Sequence, residues 1–148
     1  MFQLVVHPEA QRWVPSEAYL SKLGEYFPDG KVSLWPRRMT ATILGRPTVP
    51  YEFRAFTRNG EANVFVDPTE TPQSIAWLMA HELCHQIVEN SPTINAAFND
   101  AKPVDMKPSS DEFHYVDAEE RFCDGIATKL LGYRKDRAWW RKRVASRL

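Results

Sequence analysis

A chain of 148 residues, 43% hydrophobic and 12% aromatic, predicts one domain large enough to bury a core without disulfide staples. No apolar run approaches the roughly 20 residues of a helical membrane span, and the stretch Met1-Phe-Gln-Leu-Val-Val-His-Pro-Glu9 has no signal-peptide pattern, so a cytoplasmic protein is expected. The formal net charge is zero, so any preference for a polyanion has to come from a local patch rather than from the whole surface.

In chain order, Ser16 predicts the N-cap of a short helix with Tyr19, Leu20, Leu23 and Phe27 inward, stopped by Pro28-Asp29-Gly30. Lys31 to Trp35 and Thr40 to Leu44 read as short strands. Tyr51 to Phe56 alternates and Asn59-Gly60 follows, a two-residue hairpin signal that sets Arg58 against Glu61 as an opposite-charge pair. The return strand, Ala62 to Val66, leads through Asp67-Pro68 into a helix with Thr71 as N-cap and Pro72 at its first position. From Ile75 to Val88 this helix is apolar on nearly every side, the pattern of an internal helix, and Asn90-Ser91-Pro92 ends it. Ser91 to Asp111 reads as a long polar loop, a candidate wall or lid. Asp117 to Gly132 reads as a second helix ending at a C-cap glycine.

The chemistry lies in His81-Glu82-Leu83-Cys84-His85, an H-E-x-x-H sequence. Residues i and i+4 of a helix lie one above the other, so both imidazoles can reach one metal ion from the same face. Zinc held by two histidines and a third protein ligand lowers the pKa of bound water to about 7. A carboxylate beside that water, here Glu82, can take its proton, which makes the pattern hydrolytic. One Zn(2+) per chain is expected. The alternative is a pair of hydrogen-bonded core histidines, but an unpaired glutamate buried beside them would carry a penalty of several kcal/mol.

A third ligand is sought in the second helix. Glu120, Asp124, Ala127 and Leu131 share one face, Cys123, Ile126 and Leu130 continue it, and Arg121, Thr128 and Lys129 lie opposite. Glu120 and Asp124 therefore point inward, Glu120 as zinc ligand and Asp124 as the acceptor that orients a ligand histidine through its free N–H. Three other arrangements stay open: Glu120 closing a capping box with Asp117, Glu119 as the ligand, or His114 completing a three-histidine site. His114 and Tyr115 are also candidate catalytic donors to the oxyanion of a tetrahedral intermediate. Cys84 and Cys123, one in each helix, read as small buried apolar residues of a reducing compartment, with a disulfide or a zinc thiolate as the alternatives.

With Glu120-Arg-Phe-Cys-Asp124 following H-E-x-x-H, the chain resembles the zincin metallopeptidases of the gluzincin branch. Leu78 to Ile87 and Glu120 to Leu131 are similar to small ImmA/IrrE-like and minimal gluzincin domains, although Asp124 stands where the ImmA/IrrE phrase has asparagine. The resemblance covers residues 61 to 132 and implies an α+β, zincin-like fold. Such a fold has a small mixed or antiparallel sheet, a buried active-site helix and a second ligand-bearing helix, over residues 1–132. It implies a zinc-dependent peptidase acting on a protein or peptide substrate. It also implies that the strand before the motif helix borders the cleft, so Ala62, Asn63, Val64, Phe65 and Val66 are expected to bind an extended substrate along their edge.

The segment 133–148 stands apart: it holds seven Lys or Arg against one Asp, with Trp139 and Trp140 among them, while the rest of the chain has 12 basic and 18 acidic residues. Either it contacts nucleic acid or an acidic partner through residues 134–147, or it packs its tryptophans on the acidic body. The first reading supports a rival function, a zincin-fold binding protein with a structural or vestigial metal. A zinc hydrolase acting on a non-peptide amide shares the mechanism. No repeats, low-complexity tracts or phosphate-binding glycine loops are present.

Overall fold

The computed structural model describes residues 1–47, 54–100 and 118–132. His114, Tyr115, Asp117 and the basic segment 133–148 lie outside the described residues. Strand β1 (Gln3–Val6) and a 3₁₀ turn (Pro8–Trp13) are followed by α1 (Glu17–Tyr26) and β2 (Lys31–Pro36). A second 3₁₀ turn (Arg37–Met39) runs into α2 (Thr40–Leu44), and then come β3 (Ala55–Arg58), β4 (Glu61–Val66), α3 (Pro72–Asn90), α4 (Pro92–Asp100) and α5 (Ala118–Leu131). The result is α+β with a four-stranded mixed sheet in the order β1-β2-β4-β3. No helix among the described residues is long and apolar enough to cross a membrane.

Local signals account for most of these elements. Ser16 Oγ accepts from Tyr19 N at the start of α1. Thr71 and Ser74 exchange side-chain and backbone bonds in a capping box at the start of α3, with Pro72 in its first turn. Asn59 and Gly60 both have positive φ, 53° and 75°, which matches the twist of the two strands they join. The turn sets the register, with Arg58 opposite Glu61 and Thr57 opposite Ala62. Arg58 also donates from Nη1 to Leu44 O at 3.2 Å, tying β3 to α2.

The sheet has two apolar faces. On one, Val32 and Leu34 of β2 and Ala62, Val64 and Val66 of β4 pack with Ile75, Trp77, Met79 and Leu83 of α3 in the main core, which also takes in Leu23, Phe27, Cys123, Ala127 and Leu131. On the other, Phe65 and Leu44 form a smaller cluster with Trp35, Ile43 and Phe56. The junction between β4 and α3 is fixed by buried charge. Arg54 meets Asp67 at 3.3 Å and Glu70 at 3.2 Å, and Arg37 reaches Asp67 at 3.5 Å. Trp13 Nε1 donates to Glu70 O at 3.0 Å. Paired and hydrogen-bonded in this way, the buried ions define where α3 begins.

Gly30 lets α3 approach the sheet closely. A methyl group there would lie 2.5 Å from Leu83 Cδ2 and 3.1 Å from Phe27 O. Leu83 is buried in the core, and the Phe27 carbonyl is backbone, so neither neighbour yields without moving others. Gly30→Ala is therefore expected to lower unfolding stability by about 1–3 kcal/mol, the usual cost of overpacking. Urea denaturation checks this, and an unchanged midpoint would mean that the helix can shift freely against the sheet.

Three expectations are corrected. Thr40 to Leu44 is a short helix and not a strand. Its β-branched residues favour strand locally, but the helical turn brings Leu44 onto Phe65 and is closed by Gly45 N donating to Ala41 O. The polar segment after Ser91 is helical as far as Asp100. Ser91 ends α3 and caps α4, where Ile94 N reaches its Oγ at 3.4 Å, and Pro92 fits the first helical position. Finally, β4 is not an edge. It pairs in parallel with β2 and antiparallel with β3. Ala62, Asn63 and Val64 are thus paired on both sides, and Phe65 N also donates to Arg54 O, so this stretch has no open edge for a substrate strand. Tyr51 to Phe53 of the expected alternating strand lie outside the described residues, and the strand itself is Ala55–Arg58.

Candidate metal centre

Helix α3 is buried on nearly all sides from Ser74 to Gln86, as the apolar residues on nearly every side of it imply. His81, Glu82 and His85 are only 3%, 6% and 9% exposed. The two rings lie one turn apart with centroids 4.8 Å apart, and Trp77, one turn earlier, stacks on His81 at 5.5 Å. Trp77 is itself held from α5, donating from Nε1 to Thr128 Oγ1 at 3.2 Å. Thr128 therefore faces α3 and not the opposite side on which it was expected.

Helix α5 carries Glu119 and Glu120 in its first turn, where the helix dipole favours negative charge, and Asp124 one turn on. Packing by Cys123, Ala127 and Leu131 turns that end of the helix toward α3. Glu120 then bridges both rings, 3.0 Å from His81 Nε2 and 2.9 Å from His85 Nε2. The two Nε2 atoms are 3.1 Å apart. His81, His85 and Glu120 each offer one ligand atom, all within 4.8 Å of one another, a grouping able to hold a metal ion.

The far side of each ring meets a second carboxylate. His85 Nδ1 lies 2.5 Å from Glu119, and His81 Nδ1 lies 2.8 Å from Asp124. The Asp124 contact lies on the side of the His81 ring away from Glu120 and favours the charged imidazole. Asp124 thus stands where an orienting carboxylate was expected. Glu119, considered above as a ligand, sits behind His85 instead. The two glutamates are separated by one helical step, and the sequence pattern favoured Glu120, with its carboxylate partner at i+4, while leaving Glu119 open.

This geometry tests whether a metal fits. If the Nδ1 atoms carry the N–H groups toward carboxylates, both Nε2 lone pairs point at each other and at Glu120. Three electron-rich atoms then converge, which needs a cation. Two imidazoles and a carboxylate are a donor set that suits a divalent first-row metal ion.

Without metal, protons supply that positive charge. Burial opposes a charged His81, yet Glu120, the Asp124 contact and Glu82 outweigh it and push the imidazole up to about 9. Burial likewise opposes charge on His85, while Glu119 and Glu120 push it up to about 12. Burial would raise Glu120, but the two imidazoles hold its carboxyl well below the usual range. Folded-state values above the ordinary 6.5 mean that the stability from these imidazolium ions is complete below about pH 6.5 and is lost as pH rises. Chelator-treated protein should accordingly lose Tm from pH 6.5 through about 9, as His81 deprotonates. Zinc-loaded protein should not follow this loss, because metal replaces the protons. Equal slopes in the two forms would count against binding at these atoms.

Cys84 and Cys123 meet across the α3–α5 contact as free, buried thiols. The sulfur–sulfur hydrogen bond pulls Cys84 down and pushes Cys123 up. Glu82 presents Oε1 4.0 Å from His81 Nε2, and its other oxygen, Oε2, accepts from Thr57 Oγ1 of β3 at 2.7 Å. Sequence reasoning passed over Thr57, although the hairpin register placed it opposite Ala62 and so on the α3 side of the sheet. No protein-family model, curated protein or solved structure matches the chain.

Proposed function

We propose that the chain is a zinc-dependent metallopeptidase of gluzincin type. The observation that carries this reading is the convergence of His81 Nε2, His85 Nε2 and Glu120 from two helices, with Glu82 beside them. His81, His85 and Glu120 would hold the ion. When bound, zinc would polarise the scissile carbonyl and acidify the attacking water.

The chain's own residues then have separate tasks. Glu82 Oε1 takes the proton of the attacking water and passes it to the leaving amine. Glu119 and Asp124 keep the rings of His85 and His81 turned so that both Nε2 atoms face Glu120. The apolar shell of Trp77, Leu83 and Cys84 keeps bulk water from the inner side of α3. Among the described residues β3 pairs on one side only, with β4. An extended peptide adding to β3 would run beside Thr57 and thus past Glu82, the role first assigned to β4.

A general base is needless at a purely structural zinc, whose coordination is closed by protein. That consideration favours an enzyme over a binding protein. The direct test incubates zinc-loaded protein with unfolded proteins and a peptide library. Cleavage should stop with chelator and return with added zinc. Protein carrying one zinc per chain that cuts no extended substrate would refute the reading.

A further inference from the structure

We infer that Thr57 is a positioning residue for Glu82, fixing the carboxylate so that its free oxygen faces the open side of the His81–His85–Glu120 group. The inference rests on the peptidase reading above. The two histidines are oriented from α5, by Asp124 and Glu119. Glu82 instead accepts its side-chain hydrogen bond from the sheet, from Thr57 of β3. Thr57 pairs with Ala62, whose side chain lies in the main core under α3, so the same parity aims Thr57 at α3. Phe56 and Arg58 belong to the other face, where Phe56 stacks on Phe65. Of the β3 side chains described, Thr57 is thus the one placed to reach the base with a hydroxyl.

Its Oγ1 lies 2.7 Å from Glu82 Oε2 and 3.0 Å from Glu82 O. A hydroxyl has one hydrogen, so it donates to one of these at a time. The carboxylate is the stronger acceptor and the nearer one. With Oε2 held, Oε1 is left on the His81 side, 4.0 Å from Nε2. A glutamate has three rotatable side-chain bonds, and without this anchor the carboxylate can swing away from the atom it must deprotonate. Proton transfer needs hydrogen-bond reach, so lost orientation lowers turnover more than substrate binding. Thr57 is half-buried on the edge strand, the side on which an added peptide would lie, so the same strand orders both the base and the substrate.

The test compares zinc-loaded wild type, Thr57→Val and Thr57→Ser by crystallography and by steady-state kinetics on a cleaved peptide. Valine keeps the shape and the β-branched preference of the strand, and Thr57→Ala serves if valine is not accommodated. Thr57→Val should keep its zinc, show the Glu82 carboxylate displaced, and lose kcat by about tenfold to a hundredfold, the usual cost of an outer-shell partner, with KM unchanged. Thr57→Ser, which restores the hydroxyl, should recover both the position and kcat. An undisplaced Glu82 or full kcat in Thr57→Val overturns the inference and leaves the peptidase reading intact. So does a serine variant as impaired as the valine one. If wild type cleaves nothing, the peptidase reading itself falls, and positioning for that reaction falls with it.

Discussion

Glu82→Gln is expected to leave zinc content at about one per chain and to cut turnover by about 10²–10⁴-fold, the range over which a positioned general base contributes. The side chain is 6% exposed, so the replacement must fit its site, and glutamine has nearly the same shape. The amide oxygen can still accept from Thr57 Oγ1, which holds Oε2 in the native chain. An amide nitrogen then stands where Oε1 faces His81 and cannot take a proton. The three candidate ligands are untouched, so metal analysis and cleavage should separate. Wild-type turnover in this variant would remove Glu82 from the mechanism. Joint loss of zinc and activity would point to a structural role for the side chain.

Glu120→Ala should abolish tight zinc binding, with affinity falling by more than the roughly 10–100-fold typical of losing an outer-shell partner. Glu120 touches both Nε2 atoms, at 3.0 and 2.9 Å, and no other described carboxylate does so. The substitution also removes the shared counter-ion that raises His81 and His85 in the metal-free protein. The fall of Tm between pH 6.5 and about 9 should therefore shift to lower pH in metal-free Glu120→Ala. Zinc titration and a pH series of melting curves read these effects separately. Wild-type zinc affinity in Glu120→Ala would transfer the third position to another residue, with His114 the remaining sequence candidate.

Some of this site was legible because it is local. The i, i+4 spacing of His81 and His85 needs only a helix, and Thr71-Pro72 announces where that helix starts. The face carrying Glu120, Asp124, Ala127 and Leu131 likewise follows from a hundred-degree step. The same step puts Thr128 only about 40° round from Asp124, and Thr128 does face α3, where Trp77 donates to it from its indole N–H. Thr40 to Leu44 failed because the local preference of β-branched residues was weaker than the gain from closing Phe65 under Leu44.

Covalent spacing along the chain thus determined that two imidazoles and a glutamate share one turn of a buried helix, and that carboxylates follow on the inner face of another. Only tertiary structure decided which carboxylate does what. The rotation of α5 about its axis places Glu120 between the rings and Glu119 behind one of them, and that rotation is set by packing of Cys123, Ala127 and Leu131. Strand order was equally beyond local reach. Pairing β2 with β4 joins residues about thirty apart in sequence, buries β4 in the sheet, and leaves β3 and Thr57 at its border beside Glu82. Periodicity reports which face of an element is apolar, whereas the partner that covers that face is chosen by long-range burial and hydrogen bonding.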